Sequence, residues 1–419
     1  MLRWQCLIAL TLTALPFESA RAADWPEFRG PGGLGVYAGK PLVTEWGTDT
    51  NVTWKTALPG VGWSSPIAVA GKLFLTTAVP TTTAKGADYS LRALCVDQAK
   101  GNVLWDTELF VEKTATVPQP HKKNSHASPT PVSDGKRVWV HFGHMGTACL
   151  DLDGNVVWKT QELGYHPLHG NGNSPILVDD TLVFACDGKD VTFLAALDVN
   201  TGKVRWKTDR NANATMKFSF ATCLLVEHAG KRVIVSPASN FCFGYDPKDG
   251  KELWRLKYPK SGWSLIAAPV YAHGMVFFST GYMSQQLLAF KPDDTGDISA
   301  NVVWASKRDA PNTPTPQVIG DELYMLSDSG FLTCLDAKTG KVHYAERLAG
   351  KAYSASPIVA DGKMYFTSED GVGQVVAVGK EFKALARSEL KEKTFATFVP
   401  VGGGLFLRTE SQLYRFDPK

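Results

Sequence analysis

Histidine is concentrated in one stretch of the chain, where it could ligate a metal or relay protons. Six of the nine histidines lie within residues 121–169, and the pairs His141–His144 and His166–His169 have the H-x-x-H spacing of metal ligands. On a strand, residues i and i+3 point to opposite faces, and the spacing fixes no carboxylate or cysteine beside either pair. The second pair lies in a loop and could converge with His126. Imidazoles that hydrogen-bond backbone and water are the simpler interpretation, so the sequence predicts no metal site.

Two tryptophans, Trp63 and Trp263, could stack on a ligand. Indoles that face each other can sandwich a flat ligand or a sugar ring, although a packed aromatic plug is the commoner use of such residues. Both lie in short loops that are richer in Trp, His, Asn, Lys and Ser than turns require. The equivalent loops along the chain hold the other candidate ligand-binding residues, which are Ser64, Asn124, His126, His169, Asn173, Lys217 and Tyr353.

These loops recur because the chain is built from a repeat. Each unit of about forty to fifty residues has a small-residue/Pro step, a strand, a D-G-type turn and a second strand. A third strand then ends in L-D, and a D-x-x-T-G-K turn leads into a fourth strand that carries a tryptophan. Loops of this kind gather around the axis of a ring of repeats, where ligands bind. The units start near Ser65, Ser128, Ser174, Ala221, Ala268, Thr315, Ser356 and Val399.

The eighth unit has room for three strands only. Asn51–Leu58 (NVTWKTAL) matches Val156–Leu163 (VVWKTQEL) and supplies the missing fourth strand, with Trp54 in the tryptophan position. Pairing the two ends of the chain closes a ring and removes free sheet edges. The sequence therefore predicts an all-β fold, an eight-bladed β-propeller of four-stranded antiparallel blades, with the N-terminal strand closing the last blade.

The aromatic residue of the fourth strand predicts packing between blades, because aromatics that recur in register are usually core. The Asx-Gly turns, such as Asp198–Gly202 (DVNTG), supply the positive-φ geometry of tight hairpins. Their aspartates are therefore interpreted as turn residues and not as acids or bases. The blade-packing aromatics are Trp54, Trp105, Trp158, Trp206, Trp254, Trp304 and Tyr344.

The N-terminal residues have the order of a secretory signal peptide: basic Arg3, the apolar run Leu7–Leu15 and the A-x-A site at Ala20–Ala22. We expect a signal peptide at 1–22, a lead-in at 23–50 and a single propeller at 51–419. Cys6 precedes the apolar run, so it cannot be the lipid-modified cysteine of a lipoprotein. The mature protein is expected to be periplasmic or secreted.

The amino-acid composition limits the classes of partner that the chain can bind. With 44% hydrophobic residues, 20% charged residues and a formal net charge of +3, the chain is neither intrinsically disordered nor a nucleic-acid binder. No apolar run reaches the roughly 20 residues that span a bilayer, and we expect a monomer. Of the six cysteines beyond the signal peptide, Cys95, Cys149 and Cys334 occupy the same position in three repeats. Such positions are too far apart for disulfides, so buried thiols are expected.

The run Leu197–Trp206 (LDVNTGKVRW) resembles the pyrroloquinoline-quinone-type propeller repeat, and the likeness covers residues 51–419. Asp24–Gly33 (DWPEFRGPGG) and Tyr353–Gly371 are similar to exported PQQ-like propellers. BamB-like outer-membrane assembly propellers and quinoprotein dehydrogenases share this repeat. The chain departs from the dehydrogenases because it has no adjacent cysteine pair, no C-x-x-C-H and no match for their Glu, Asn and Asp calcium ligands. It departs from BamB in lacking the lipid cysteine.

The resemblance implies a fold that serves both binding and catalysis. We expect a non-catalytic exported propeller that binds an envelope protein or a polysaccharide-like, carbohydrate-like ligand and needs no cofactor. The alternative is a quinoprotein-type oxidoreductase that holds PQQ and a divalent cation, Ca²⁺, in the axial funnel. In that alternative the cation would polarise the ortho-quinone, a carboxylate would take the substrate proton, and hydride would move to PQQ.

Overall fold

The computed structural model describes residues 24–84, 86–114, 119–258 and 260–419. It shows eight blades in a ring, each built on four consecutive strands of an antiparallel sheet, as the sequence predicts. The residues interpreted as a signal peptide lie outside the described residues. The helical elements of the described part are three short 3-10 turns, Pro31–Gly33, Gly143–Met145 and Ser299–Asn301. None of its helices is long and apolar enough to pass through a bilayer.

Each blade runs from an inner strand beside the axis to an outer strand at the rim. Blades 1 to 4 consist of Ile67–Val69, Lys72–Pro80, Tyr89–Asp97 and Val103–Glu112; Val132–Ser133, Arg137–His141, Thr147–Asp151 and Val156–Thr160; Ile176–Val178, Thr181–Asp187, Thr192–Asp198 and Val204–Asp209; and Leu224–His228, Lys231–Ala238, Phe241–Tyr245 and Glu252–Lys257.

Blades 5 to 8 consist of Val270–Ala272, Met275–Ser279, Leu287–Phe290 and Val302–Ser306; Gln317–Ile319, Glu322–Leu326, Phe331–Asp336 and Val342–Arg347; Ile358–Ala360, Lys363–Thr367, Val372–Ala377 and Ala384–Glu389; and Val399–Val401, Gly404–Arg408, Gln412–Phe416 and Val52–Ala57. Two short strands add to blade edges in parallel: Gly296–Asp297 on blade 4 and Val36–Tyr37 on blade 7.

Ring closure joins the two ends of the propeller. The N-terminal strand Val52–Ala57 pairs antiparallel with Gln412–Phe416, in a register that sets Thr56 opposite Leu413. This confirms the closure predicted from the matching sequence runs. Arg408 adds a second bond across the same junction, because its Nη1 donates to the Ser64 hydroxyl at 2.7 Å and to the Thr76 carbonyl at 2.6 Å. The ring is therefore closed by strand pairing inside blade 8 and by the Arg408 hydrogen bonds across the interface between blades 8 and 1.

Neighbouring blades meet at the rim through an indole that covers a turn glycine. Gly202 has a φ of +71°, and a Cβ there would lie 2.5 Å from the Trp158 ring, so only glycine leaves room for the indole. Trp158 Nε1 also donates to the Val199 carbonyl at 2.9 Å. Trp254 and Tyr344 instead meet Phe290 and Phe382 edge-on. The indole-glycine contact is repeated by Trp54 with Gly101, Trp105 with Gly154, Trp206 with Gly250 and Trp304 with Gly340.

A second repeated contact joins the blades beside the axis. The Ser65 backbone N–H donates to Thr130 Oγ1 of blade 2 at 3.1 Å, and the Thr130 N–H donates to Ser174 Oγ of blade 3 at 3.0 Å. The chain of bonds passes from blade to blade and returns from the Thr397 N–H to Ser65 Oγ at 3.0 Å. We name the residues at this position the collar. They are Ser65, Thr130, Ser174, Thr222, Ala268, Thr315, Ser356 and Thr397.

The collar corrects the repeat register in three blades. Blade 2 aligns on Thr130 and not on Ser128, because Ser128-Pro129-Thr130-Pro131 offers two small-residue/Pro steps and only the second bonds to its neighbours. Blade 4 aligns on Thr222 and not on Ala221, since the Thr222 hydroxyl accepts from Ser174. Blade 8 aligns on Thr397 and not on Val399, since the Thr397 hydroxyl accepts from Ser356 and Phe398 stands where six of the units have proline. The small-residue/Pro pattern locates the start of each unit to within two residues. The hydrogen bond to the next blade identifies which residue is equivalent in all units.

The lead-in runs inside the ring. The inner strand of each blade has a free edge toward the axis, and the lead-in bonds to these edges in turn. Trp25 exchanges backbone hydrogen bonds with Ala68 of blade 1, and the Pro26 carbonyl accepts from Ser133 of blade 2. Val36 then pairs with Val359 of blade 7. The first part of the segment, to Tyr37, therefore lies in the bore on one side of the collar, whereas Trp46 and Thr48 bond to Ser388 and Leu390 at the outer strand of blade 7.

Arg29 anchors the lead-in at the centre of the bore, where it is only 2% exposed. Its Nη2 donates to the Pro316 carbonyl at 3.3 Å and to Gln317 Oε1, both in blade 6. Burial lowers the pKa of this guanidinium to about 9, so the side chain stays charged at neutral pH. A buried cation that bonds to carbonyl oxygens ties the lead-in to the far side of the ring.

The cysteines are buried and unpaired. Cys95, Cys149, Cys186, Cys223, Cys242 and Cys334 are all free thiols in the blade interiors, as expected from their repeated positions.

The collar is incomplete at one position, which yields a test. Ala268 donates its N–H to Thr315 Oγ1 at 3.1 Å, but its methyl group cannot accept from Thr222 of blade 4. We expect Ala268→Ser to supply this acceptor and raise the free energy of unfolding by about 1 kcal/mol. The midpoint of urea unfolding measures the change. Ala268→Val, which adds volume without an acceptor, should not be stabilising; equal stabilisation by both variants would contradict the hydrogen-bond explanation.

Candidate functional site

A cavity of about 590 Å³ lies on the axis, on the side of the collar opposite the lead-in. All seven hydroxyl-bearing residues of the collar line it, and Phe28 of the lead-in also reaches it. Since the lead-in occupies the bore beyond the collar, the cavity is a funnel that is closed at its base. Ligand pockets commonly have volumes of about 300–1,000 Å³, so the funnel has the size for a small molecule.

The collar hydroxyls present hydrogen-bond donors to this funnel. Each hydroxyl oxygen already accepts the backbone N–H of the collar residue in the preceding blade, and for Thr315 Oγ1 that residue is Ala268. Among the described residues, none of these hydroxyl hydrogens is donated to a protein acceptor. A hydroxyl carries one donor and two acceptor lone pairs, so each retains its hydrogen and one lone pair for a ligand.

Aromatic side chains form much of the funnel wall. Trp63 and Phe395 pack edge-to-face with ring centroids 4.6 Å apart, and Phe220 and Tyr282 stand on other blades. Trp63 is 7% exposed, and its Nε1 has no hydrogen-bond partner among the described residues. The wall thus combines apolar ring faces with the collar hydroxyls, whereas the Trp63 N–H is buried and is not exposed to the funnel.

The long connection between blades 1 and 2 covers part of the mouth. The His121 N–H and Asn124 Nδ2 both donate to the His169 carbonyl, at 3.1 and 2.9 Å. Lys123 Nζ crosses to Glu369 Oε1 of blade 7 at 2.7 Å. Blades 1, 3 and 7 are therefore joined above the funnel by one loop.

Asp328 is the one acidic residue among those that line the funnel, and its oxygens already have partners. Oδ2 accepts the backbone N–H groups of Asn312 and Thr313, at 2.7 and 3.3 Å, and Oδ1 accepts the Thr313 hydroxyl at 2.6 Å. Neighbouring Asn312 Oδ1 is buried and has no partner among the described residues. The carboxylate shapes its own loop, and the buried Asn312 amide oxygen is not exposed to the funnel.

Three of the sequence-predicted ligand residues line the funnel: Trp63, Asn124 and His169. Ser64 points away from it and is buried against Arg408. Trp263 turns to the next hairpin, where it bridges to Tyr282, and Tyr282 takes the place at the wall. The two indoles Trp63 and Trp263 therefore do not sandwich a common space.

The remaining predicted ligand residues serve the fold in this structure. Tyr353 is completely buried in the core between blades 6 and 7, and burial raises the pKa of its hydroxyl. Asn173 Nδ2 donates to the Ala185 carbonyl and Lys217 Nζ to the Asp190 carbonyl. His126 is 7% exposed and packs on Tyr89, with ring centroids 4.7 Å apart. The position of a residue in these loops therefore does not indicate whether its side chain lines the funnel.

The collar is the part of the funnel wall that the sequence does not predict. Its members Ser65, Ser174, Thr315 and Ser356 stand before the repeated proline, where the sequence indicates only the start of each unit. A hydroxyl type retained at this position across the blades was the available signal, because turns before proline do not require one. Phe28 and Phe395 gave no repeat signal.

The histidines form two groups. His121 and His169 meet edge-to-face with ring centroids 5.6 Å apart at the funnel mouth. The pKa of His144 is lowered to about 4. Burial is the main cause, and the neighbouring imidazoles of His126 and His166 act in the same direction. His141 stacks on Phe184 at 4.0 Å. Within the described residues, no three His, Cys, Asp or Glu side chains are placed to hold a metal ion.

Comparison with known proteins relates this geometry to one family. The sequence matches the family model described as outer membrane protein assembly factor BamB over residues 28–161, 92–316 and 294–381. No curated protein matches the chain.

Two solved structures illustrate the likeness of the fold. BamB from Moraxella catarrhalis is similar with a TM-score of 0.59 and 12% identity, over 88% of this chain and 97% of that chain. A europium-containing methanol dehydrogenase is similar with a TM-score of 0.57 and 11% identity, over 95% of this chain and 99% of that chain. At such identities the likeness concerns the fold alone.

The buried histidines predict a loss of stability in acid. Burial, with neighbouring His144, lowers the pKa of His141 to about 3, whereas an unfolded histidine titrates near about 6.5. Between these values the unfolded state binds more protons, so the free energy of unfolding falls as pH drops below about 6.5. We expect His141→Phe to reduce this slope by up to about 1.4 kcal/mol per pH unit.

Urea unfolding between pH 4 and pH 8 measures that slope. Thr147→Val is the matched control, because it removes the 2.9 Å hydrogen bond to His141 Nδ1 but keeps the imidazole. It should lower stability without flattening the profile. An unchanged slope in His141→Phe would refute the assignment.

Proposed function

The chain belongs to the family described as outer membrane protein assembly factor BamB, and from that premise and the geometry of the funnel we propose that it is an exported, non-catalytic binding module. The funnel on its axis is the binding surface, and a carbohydrate-like small molecule is the ligand class. The observation that carries the proposal is a closed funnel of about 590 Å³ whose wall alternates hydroxyl groups with aromatic faces.

Carbohydrates interact with both hydroxyl groups and aromatic faces. Their hydroxyl groups exchange hydrogen bonds with side-chain hydroxyls and amides, and their C–H faces pack on aromatic rings. The collar supplies the first and Trp63, Phe220, Phe395 and Tyr282 supply the second. A site that combines apolar walls with a few convergent polar groups is the usual form of a small-molecule pocket.

An envelope protein is the other partner that the family description supports, since that description refers to the assembly of outer-membrane proteins. Such a partner would dock on the loops around the funnel mouth, among them the connection that carries Lys123. We give the small ligand precedence because the collar hydroxyls line a funnel of small-molecule size whose base is closed.

The second candidate function is a quinoprotein-type oxidoreductase, which the fold of the methanol dehydrogenase supports at the level of fold alone. Aromatic walls and hydroxyl donors would suit a flat, carboxylated quinone. The donor set does not suit its divalent cation, which takes six or more oxygen ligands, usually several carboxylates. Asp328 is the one lining carboxylate, and backbone N–H groups and Thr313 already occupy its oxygens. The residues therefore do not fit the cation, and we derive no reaction step through it.

This assessment predicts the outcome of reconstitution. With PQQ and Ca²⁺ added to the purified protein, we expect no dye-coupled oxidation of alcohols or sugars, because no group is placed to hold the cation beside the quinone. Absorbance spectra and dye reduction provide the measurement. Saturable PQQ binding together with turnover would contradict the proposed binding module and support the oxidoreductase instead.

Blocking the mouth tests the funnel itself. Gln285 lines the mouth and has an exposed side chain, so Gln285→Trp adds bulk over the opening without removing packing. We expect it to weaken binding of neutral and acidic sugars at least about tenfold, measured by isothermal titration calorimetry against a sugar panel. Val303→Trp, on the exposed rim of blade 5, is the control and should bind as the unsubstituted protein does. Equal affinity in both variants would move the ligand site away from the funnel.

A further inference from the structure

Tyr282, at the mouth of the funnel, is the single aromatic side chain that is exposed among the described residues. It is 51% exposed and yet lines the cavity. The rings deeper in the wall are covered, since Trp63 is 7% and Phe220 is 8% exposed. Met283, the next residue, is 63% exposed, so the two side chains form an apolar patch on this lip of the funnel. An exposed apolar patch that continues into a pocket marks a surface for a ligand.

The hairpin that carries Tyr282 is held in a strained conformation. The Tyr282 N–H donates to the Trp263 carbonyl at 2.8 Å, and the two rings meet edge-on with centroids 6.4 Å apart. Gly281 approaches that carbonyl so closely that a Cβ would lie 2.5 Å from it. Met283 has a φ of +73°, a left-handed conformation that such side chains rarely adopt. The fold therefore accepts a conformational cost to keep the Tyr282 ring on the lip, as is common at ligand clamps.

A ligand can enter the funnel from one side only. The lead-in, with Phe28 in contact with the cavity, closes the base. A chain-like molecule therefore cannot pass through and must enter by one end. The terminal ring of an oligosaccharide would lie among the collar hydroxyls, which can both donate and accept. The second ring would then lie at the mouth, where Tyr282 offers an uncovered aromatic face.

We propose that the ligand of the funnel is a linear oligosaccharide bound by its end, with an inner subsite at the collar and an outer subsite on Tyr282 for the second ring. This inference rests on the proposed function and names the ligand class of the same site. The C–H face of a pyranose packs on the phenol ring. Trp263 is a positioning residue for the outer subsite, because it supports the Tyr282 ring from behind. No other exposed aromatic of the described residues is present for a third ring.

The experiment compares sugars of increasing length by isothermal titration calorimetry on the full chain at neutral pH. The probes are D-glucose with maltose and maltotriose, D-glucose with cellobiose and cellotriose, and N-acetylglucosamine with its β-1,4-linked dimer and trimer. We expect at least one disaccharide to bind about tenfold more tightly than its monosaccharide, because its second ring adds a stacking contact. The trisaccharide of that series should bind within about threefold of the disaccharide.

Three variants of the hairpin test the outer subsite. Tyr282→Ala should weaken the disaccharide about tenfold and leave the monosaccharide within about threefold. Tyr282→Phe keeps the ring and should leave both affinities within about twofold. Met283→Ala is the matched control, since Met283 is the more exposed neighbour but is not among the residues that line the cavity. It should bind both sugars as the unsubstituted protein does. Unchanged midpoints of urea unfolding establish that the three variants keep the fold.

The role of Trp263 is tested through Tyr282. Trp263→Ala removes the indole but keeps the backbone hydrogen bond to the hairpin, and it should weaken the disaccharide about fivefold. Trp263→Phe should restore most of this loss. In the double variant Trp263→Ala, Tyr282→Ala, the loss should equal that of Tyr282→Ala alone, because one residue acts through the other. Additive losses would contradict the positioning role.

The outcomes distinguish the ligand class from the binding function. If each disaccharide binds no more tightly than its monosaccharide, and Gln285→Trp weakens both, the funnel is a sugar site but the outer subsite is wrong. A further tenfold gain from the third ring, or equal losses in Tyr282→Ala and Met283→Ala, also contradicts the outer subsite. If disaccharides bind and Gln285→Trp has no effect, both the inference and the proposed function fail. No measurable affinity for any probe likewise overturns both.

Discussion

The hydrogen bond from a backbone N–H of one blade to the side-chain hydroxyl of the next is the interaction on which this ring depends. Blades are wedges, and beside the axis their inner strands come so close that no large side chain fits between them. A serine or threonine fills that space and gives the buried N–H an acceptor, without which each such group would cost about 1–3 kcal/mol. The indole-glycine contact does the complementary task at the rim, where the wedge is wide. Together the two contacts hold neighbouring blades at the axis and at the rim.

The collar also connects stability to recognition. Each hydroxyl oxygen is used by the fold, whereas its hydrogen has no protein acceptor among the described residues. A mutation such as Thr130→Val would therefore lower stability and affinity for the proposed ligand together, and neither loss could be assigned to one cause. Gln285 is different, because its side chain is exposed at the mouth of the funnel. It can be altered with little effect on the ring.

The sequence predicts the ring well because the ring is periodic. Strand order, the closing strand Val52–Ala57 and the indole at the outer strand repeat often enough to be recognised without a structure. The site is less predictable, since it depends on contacts between distant residues. Ser64 is withdrawn from the funnel by Arg408, 344 residues away, and Trp263 is turned aside by a bridge to Tyr282. No local pattern contains that information.

The path of the lead-in is likewise not predictable from the sequence. Residues 24–50 carry no repeat, and their partners are scattered along the chain, on the edges of inner strands for residues 25–37 and on the outer strand of blade 7 for residues 46–48. Phe28 consequently had no signal as a funnel residue, although it lies at the base of the cavity. The sequence also contained one signal that was misread: a hydroxyl before proline is unnecessary for a turn, so its recurrence indicated a contact.

The position of the lead-in inside the bore sets an order of assembly. This segment precedes the blades in the chain, yet Arg29 bonds to a carbonyl 287 residues further along and the Ser65 hydroxyl accepts from a residue 332 positions away. Contacts of such sequence separation form late and slow folding. The first blades therefore cannot complete their contacts until the last three have been synthesised. The native state forms as a whole at the end of folding, and no single blade reaches it alone.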